Sequence, residues 1–283
     1  MKDLIIGCIT NYSFDKIEVF CNSIDICGFT GHKVMVVYNV PKSTVDELQK
    51  RGWIVMSFNY NEEAGWYTYK DEFRIMCDRQ LHYYEAIQSV QNEFGDLRYV
   101  IVPDPRDVIF QKNPSEWLEV NMGDKKINVG SESLKYKHEE WGRDNLRHSF
   151  GDIVYDRCKD NTIYNCGTVA GDWKTMGELF LNIYLMCVGS PNGTPDQAAL
   201  NTLLSFDVYK NVTRFTNSEE AWACQAGTTM DMKVVSINKN NLLEPQPYMD
   251  NGIVKTNSGI PFTLVHQYDR IPEWKYILEK KYK

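Results

Sequence analysis

Apolar and polar positions follow two rhythms over the first hundred residues. In LIIGCIT (4–10), HKVMVVYNV (32–40) and WIVMSFNY (53–60) apolar positions dominate, and each reads as a strand. Between them, FDKIEVFCNSIDICGF (14–29) and STVDELQKRG (43–52) space their apolar residues by three and four, which predicts helices. Ser43, with Asp46 three residues on, reads as the start of the second. Strand and helix in alternation predict βαβ units and a mostly parallel sheet.

The pattern then lengthens. DEFRIMCDRQLHYYEAIQSVQ (71–91) predicts a helix with Phe73, Cys77, Leu81, Tyr84 and Gln88 on its inner face and Arg74, Arg79 and His82 elsewhere. DLRYVIV (96–102) is the fourth strand. About 121–161 the chain is more polar, and loop with short helix is expected there. TIYNCGTVAGDWKTMGELFLNIYLMCV (162–188) predicts a short strand, a glycine-containing turn and a helix carrying Met176, Leu179, Phe180, Ile183 and Met186. GTPDQAALNTLLS starts another helix, with Pro195 and Asp196 in its first turn. MKVVSIN and FTLVHQYDR read as strands and EWKYILEKKYK as a terminal helix. No internal repeat or low-complexity tract interrupts the chain, so one α/β domain over 1–283 is expected.

Composition narrows the partners. A net charge of −7 without a clustered Lys/Arg stripe argues against nucleic acid. No window approaches the roughly 20 apolar residues of a membrane helix, and MKDLIIGCIT turns polar too early for a signal peptide, so a cytoplasmic protein without an integral membrane segment is expected. The eight cysteines are scattered without a C-x-x-C pair, which supports neither a zinc knuckle nor a dithiol motif and leaves reduced core residues. Sequons at Asn11, Asn192 and Asn211 would matter only in a secretory compartment. The 17 Tyr and 7 Trp suit core packing and sugar or nucleotide sites alike.

One stretch breaks the pattern. In YVIVPDPRDVIFQKNP an apolar strand ends in Asp104, Arg106 and Asp107, then resumes as Val108-Ile109-Phe110. Carboxylates beside a core strand need compensation. Two readings are open: a self-paired Asp/Arg turn, or carboxylates at i and i+3 converging on a hard cation such as Mg2+ or Mn2+. Their place at the carboxyl end of a strand in a parallel sheet favours a ligand.

Three later segments carry the argument further. PDPRDVIFQKNP, then YNCGTVAGDW, TPDQAALN and LVHQYDR, in that order and at those intervals, resemble glycosyltransferases of the GT-A fold, which transfer a sugar from a nucleotide diphosphate. The resemblance spans nearly the whole chain. It implies a GT-A type Rossmann-like mixed sheet, mostly parallel and flanked by helices, with about 1–115 binding the nucleotide sugar and about 116–283 the acceptor. The family usually has D-x-D, whereas this chain inserts a residue, Asp104-Pro105-Arg106-Asp107. By position Asp104 would lie nearer the ribose and Asp107 on the metal, and the division between them stays open.

The resemblance further implies Mn2+ (or Mg2+) held by Asp104, Asp107 and His266, although His266 alone also fits a core histidine at a strand end. Thr10, Asn11 and Tyr12 fall where the family contacts base and ribose, with Tyr12 able to stack on a pyrimidine. Arg79, Arg106 and less directly Arg74 would reach the diphosphate or form ordinary salt bridges. Asn165 and Gly167 match the segment beside the donor sugar. Asp196 and Gln197 match the pair facing the reacting centre, Asp196 being the general base of an inverting enzyme or a positioning group of a retaining one. Trp141, with Glu132, Glu139 and Asp144, forms either an acceptor-side wall or a solvated loop.

The expected activity is metal-dependent transfer from a nucleotide sugar, with UDP as expected carrier, to a carbohydrate acceptor. A sugar nucleotidyltransferase would need a Gly-rich, Lys-containing loop after the first strand, and CITNYSFDK lacks one. A non-catalytic nucleotide-sugar-binding protein would keep the fold without needing Asp107, Asp196 and His266 together.

Overall fold

The computed structural model describes residues 1–69 and 71–283. Its main sheet runs Thr162–Tyr164, Ile127–Lys135, Thr168–Asp172, Leu97–Pro103, Lys2–Thr10, His32–Tyr38, Ile54–Ser57, with Thr213–Thr216 beside Ile127–Lys135. The strands from Leu97–Pro103 through Ile54–Ser57 are mutually parallel, as the alternating pattern predicts, and Thr168–Asp172 joins them antiparallel. The result is a mixed, mostly parallel sheet with helices on both faces.

From Lys2–Thr10 the chain first builds outward through His32–Tyr38 and Ile54–Ser57, then returns to place Leu97–Pro103 on the other side. That reversal opens a crevice at the carboxyl ends of Lys2–Thr10 and Leu97–Pro103. Thr10 and Asp104 emerge there together. One face packs Leu4, Ile6, Val100 and Val102 against Ile75–Phe94 and Trp173–Cys187. The other packs Ile5, Ile9, Met35 and Ile101 against Glu18–Ile26 and Lys42–Lys50.

Val108-Ile109-Phe110 leaves the main sheet. It pairs antiparallel with Leu264–His266, which pairs in parallel with Ala223–Gln225, so His266 lies opposite Val108. A second small sheet thus brings the C-terminal histidine to the acidic turn. The five cysteines at 21, 77, 158, 187 and 224 are buried, and all eight are free thiols.

Four expectations are corrected. Region 121–161 contains a central strand, Ile127–Lys135, and a helix, Glu140–Cys158, that bends at Gly151 (φ 80°). The strand's polar residues are buried against partners: Asn128 Oδ1 accepts from Thr216, although Asn128 Nδ2 has none among the described residues, and Ser131 Oγ accepts the Ser133 amide at 2.9 Å. MKVVSIN is the helix Met232–Asn238, capped by Asp231, with Val235 and Asn238 inward and Met232 and Ile237 exposed.

Helix Ile75–Phe94 buries Cys77 as expected, together with Ile75, Arg79, His82, Tyr83, Ala86 and Val90; Leu81, Tyr84 and Gln88 are only partly buried, and Phe73 lies on the preceding turn and is 63 % exposed. Arg79 and His82 are paired, so counting them as outward rotated the expected face. Ser43 does not start its helix, which begins at Lys42 without a side-chain cap; Asp46 instead pairs with Lys42 at 2.5 Å. Among the described residues no helix is long and apolar enough to cross a membrane.

Candidate active site

The acidic turn is held by backbone bonds at both ends. Asp104 N donates to Gly167 O at 3.3 Å, and Val108 N returns to Asp104 O at 3.2 Å. Two glycines allow the close approach: a Cβ on Gly7 would meet Pro105 at 2.6 Å, and one on Gly167 would meet Asp104 Oδ2 at 2.5 Å. Gln267 N donates to Asp107 O at 2.7 Å, which fastens the His266 strand to the turn.

Asp104, Asp107 and His266 consequently converge, with one ligand atom from each lying within 4.8 Å of the others. His266 Nε2 is 3.4 Å from Asp107 Oδ1 and 3.9 Å from Asp104 Oδ2. Its other nitrogen, Nδ1, lies 2.8 Å from Gln225 Oε1, and Gln225 Nε2 donates to Thr168 Oγ1 at 2.8 Å. This chain assigns the Nδ1 proton to Gln225 and turns Nε2 toward the carboxylates, the arrangement of a metal-ligating histidine with an outer-shell partner.

Burial opposes the His266 imidazolium, but the charges of Asp107, Asp104 and Glu132 outweigh it and raise the group above its ordinary value. Burial alone would raise the Asp107 carboxyl, yet His266 and Arg106 hold it below the usual range. The donor set, two carboxylates and an imidazole, fits Mn2+ or Mg2+.

Arg79 crosses from its helix to bridge two motifs. Its Nη1 is 3.3 Å from Asp104 Oδ1, its Nη2 pairs with Asp196 Oδ2, and Gln80 Nε2 adds a bond to that same oxygen at 3.3 Å. Arg79 Nε is buried with no partner among the described residues. Arg106 pairs with Asp107 at 3.1 Å and approaches Asp269 at 3.7 Å, so the self-paired turn and the convergent carboxylates coexist. Arg74 lies apart, pairing with Asp78 at 3.4 Å and Asp71 at 3.9 Å.

Beyond Asp196 the compensation changes character. Asn165 Oδ1 accepts the Gly167 amide at 2.7 Å, while Asn165 Nδ2 donates to Glu132 Oε1 at 2.6 Å. Gln197 Nε2 donates to the same oxygen at 3.2 Å, and Gln197 Oε1 accepts from Asn165 at 3.3 Å. Glu132 is therefore a hub of the Asn165–Gln197 cluster and not a neighbour of Trp141 in a surface wall. Nothing in INVGSESLK distinguishes it from the other polar residues of that strand.

Thr10, Asn11 and Tyr12 stand at the sheet's reversal point. Asn11 adopts φ 57° and donates its amide to Tyr38 O at 3.2 Å; Tyr12 is half-buried beside Arg106. Thr10 Oγ1 is buried without a partner among the described residues. Trp141, 55 % exposed, lines a groove of about 590 Å³ with Glu139, Asp144, His148 and Lys233. Asn145 Nδ2 donates to Thr194 O at 2.9 Å, tying this groove to the segment that leads into Asp196.

No protein-family model and no curated protein matches the sequence. Among solved structures, the chain is similar to the galactosyltransferase LgtC in complex with donor and acceptor sugar analogs. The likeness covers 98 % of this chain and 95 % of that one, with a TM-score of 0.52 and 11 % identity. At that identity the likeness establishes the fold, which is the GT-A type that the four motifs imply.

Proposed function

We propose that the protein is a metal-dependent glycosyltransferase that moves a sugar from a nucleotide diphosphate, with UDP as carrier, to a hydroxyl of a carbohydrate acceptor. The observation carrying this reading is the convergence of Asp104, Asp107 and His266 within 4.8 Å at the reversal point of a GT-A sheet. Asp104, Asp107 and His266 would hold Mn2+ or Mg2+. When bound, the ion supplies a Lewis acid for charge developing on the leaving diphosphate.

The chain's own residues do the rest. Thr10, Asn11 and Tyr12, at the reversal point of the sheet, would contact base and ribose. Arg79 and Arg106 place two guanidinium groups beside the acidic turn, where each can share its charge with phosphate oxygens. Asn165 and Gly167 form the floor for the donor sugar.

Asp196 Oδ2 is occupied by Arg79 and Gln80, which supports a positioning and electrostatic role for the Asp196-Gln197 pair over that of a free general base. About 1–115 would then bind the nucleotide sugar and about 116–283 the acceptor, with the Trp141 groove as its stacking wall.

The test is calorimetric titration of UDP into the protein with Mn2+ and with EDTA, beside GDP. Mn2+-dependent binding of UDP, weaker by at least about tenfold for GDP, is expected. Absence of binding by either nucleotide under every metal condition would sink the reading.

A further inference from the structure

The carboxylates of the site divide by what balances them. Asp104, Asp107 and Asp196 each lie against an arginine or histidine nitrogen. Glu132 has no cation within ion-pair distance among the described residues. It is met only by the amides of Asn165 and Gln197, both on Oε1.

Its second oxygen, Oε2, makes no hydrogen bond to any described residue, and the residue keeps 6 % of its exposure. Burial pushes the Glu132 carboxyl up, with Glu139 adding to the push against the weaker pull of the amides and His266. A buried acceptor with an unused oxygen, in contact with the residues flanking Asp196 and Gly167, is built to receive hydrogen-bond donors.

Resting on the glycosyltransferase reading, we infer that Glu132 reads the transferred sugar. Oε1 fixes the Asn165 and Gln197 amides, and Oε2 accepts a hydroxyl of an uncharged sugar. The same carboxylate would face any acid group on the sugar with no cation at ion-pair distance from it among the described residues to offset the two charges. Donors bearing a neutral hexose or pentose are the substrate class, and uronic-acid donors are rejected.

Calorimetry in Mn2+ with UDP, UDP-glucose, UDP-galactose and UDP-glucuronic acid tests this on the wild type, Glu132→Gln and Glu132→Asp. Wild type should bind at least one neutral UDP-sugar on the order of a hundredfold more tightly than UDP-glucuronic acid. Glu132→Gln should bind UDP as wild type does while that ratio shrinks to within about threefold. Glu132→Asp, which keeps the charge, should still reject UDP-glucuronic acid, and it carries the test if the glutamine variant does not fold.

Undiminished discrimination in Glu132→Gln, or equal wild-type affinity for neutral and uronic-acid donors, overturns the inference while leaving the UDP site standing. Failure of UDP itself to bind wild type overturns the donor-site reading and this inference with it.

Discussion

A cluster of three aspartates and the neighbouring buried Glu132 solve the same electrostatic problem by different means. Around Arg79, three aspartates are compensated by charge: Asp104 and Asp196 share that guanidinium, while Asp107 lies between Arg106 and His266. Around Asn165, Glu132 is met by amide dipoles, with no cation within ion-pair distance among the described residues. Ion pairing leaves a cluster that collapses when one member goes, because a buried charge is then stranded. Amide pairing tolerates loss of the charge better, since it never balanced one ion against another. The first arrangement suits exchange of one cation for another; the second suits recognition of neutral hydroxyls.

The sharpest way to break this comparison is Arg79→Met. It strands Asp196, whose side chain is 7 % exposed, and half-strands Asp104, whose 33 % exposure lets water take up part of the loss. Destabilisation of about 3 kcal/mol is expected, read as a lower urea midpoint at unchanged slope. Adding Asp196→Asn should return part of it. A single variant within about 0.5 kcal/mol of wild type would mean that Arg79 is not the charge that holds the cluster.

A smaller effect is expected at Gln225, which touches no carboxylate but orients His266 through Nδ1. Gln225→Leu should weaken Mn2+-dependent UDP binding by about 10- to 100-fold, with binding in EDTA unaltered. Equal loss with and without metal would assign Gln225 to packing and not to the orientation of His266.

The same contrast explains what could be read from the chain. The parallel half of the sheet was legible because Ile5, Ile6, Val36, Val37, Val100 and Ile101 are buried in continuous apolar runs, and hydropathy reports such runs directly. Asp104, Asp107 and His266 were legible as a set through motif order, and they do converge.

Ile127–Lys135 was not legible, because Asn128, Glu132 and Ser133 are buried against partners that are distant in sequence. The inner face of Ile75–Phe94 was misplaced in part for the same reason: Arg79 meets Asp196 117 residues away. Polar burial is a pairwise property, and a window of neighbours records only one member of each pair.

The shallowest test turns the two modes of compensation into opposite pH slopes, measured in EDTA so that no metal occupies the aspartates. Asp107 is held below its ordinary 3.8 by His266 and Arg106 against the opposing effect of burial. A group whose folded value is lowered contributes stability that is present above 3.8 and lost as pH falls through the folded value. Glu132 is raised above its ordinary 4.5 by burial. Its contribution is present below 4.5 and lost as pH rises through the folded value, because the unfolded chain releases its proton first.

Since one pKa unit is worth about 1.4 kcal/mol, both slopes are gentle, and each is best read as a difference from a variant that cannot titrate. Urea midpoints from pH 3 to 7 should show wild type losing its advantage over Asp107→Asn toward the acid end. Glu132→Gln should gain on wild type as pH rises above 4.5. If Glu132→Gln instead loses ground with rising pH, ionised Glu132 has a cationic partner after all, and the distinction between the two clusters fails.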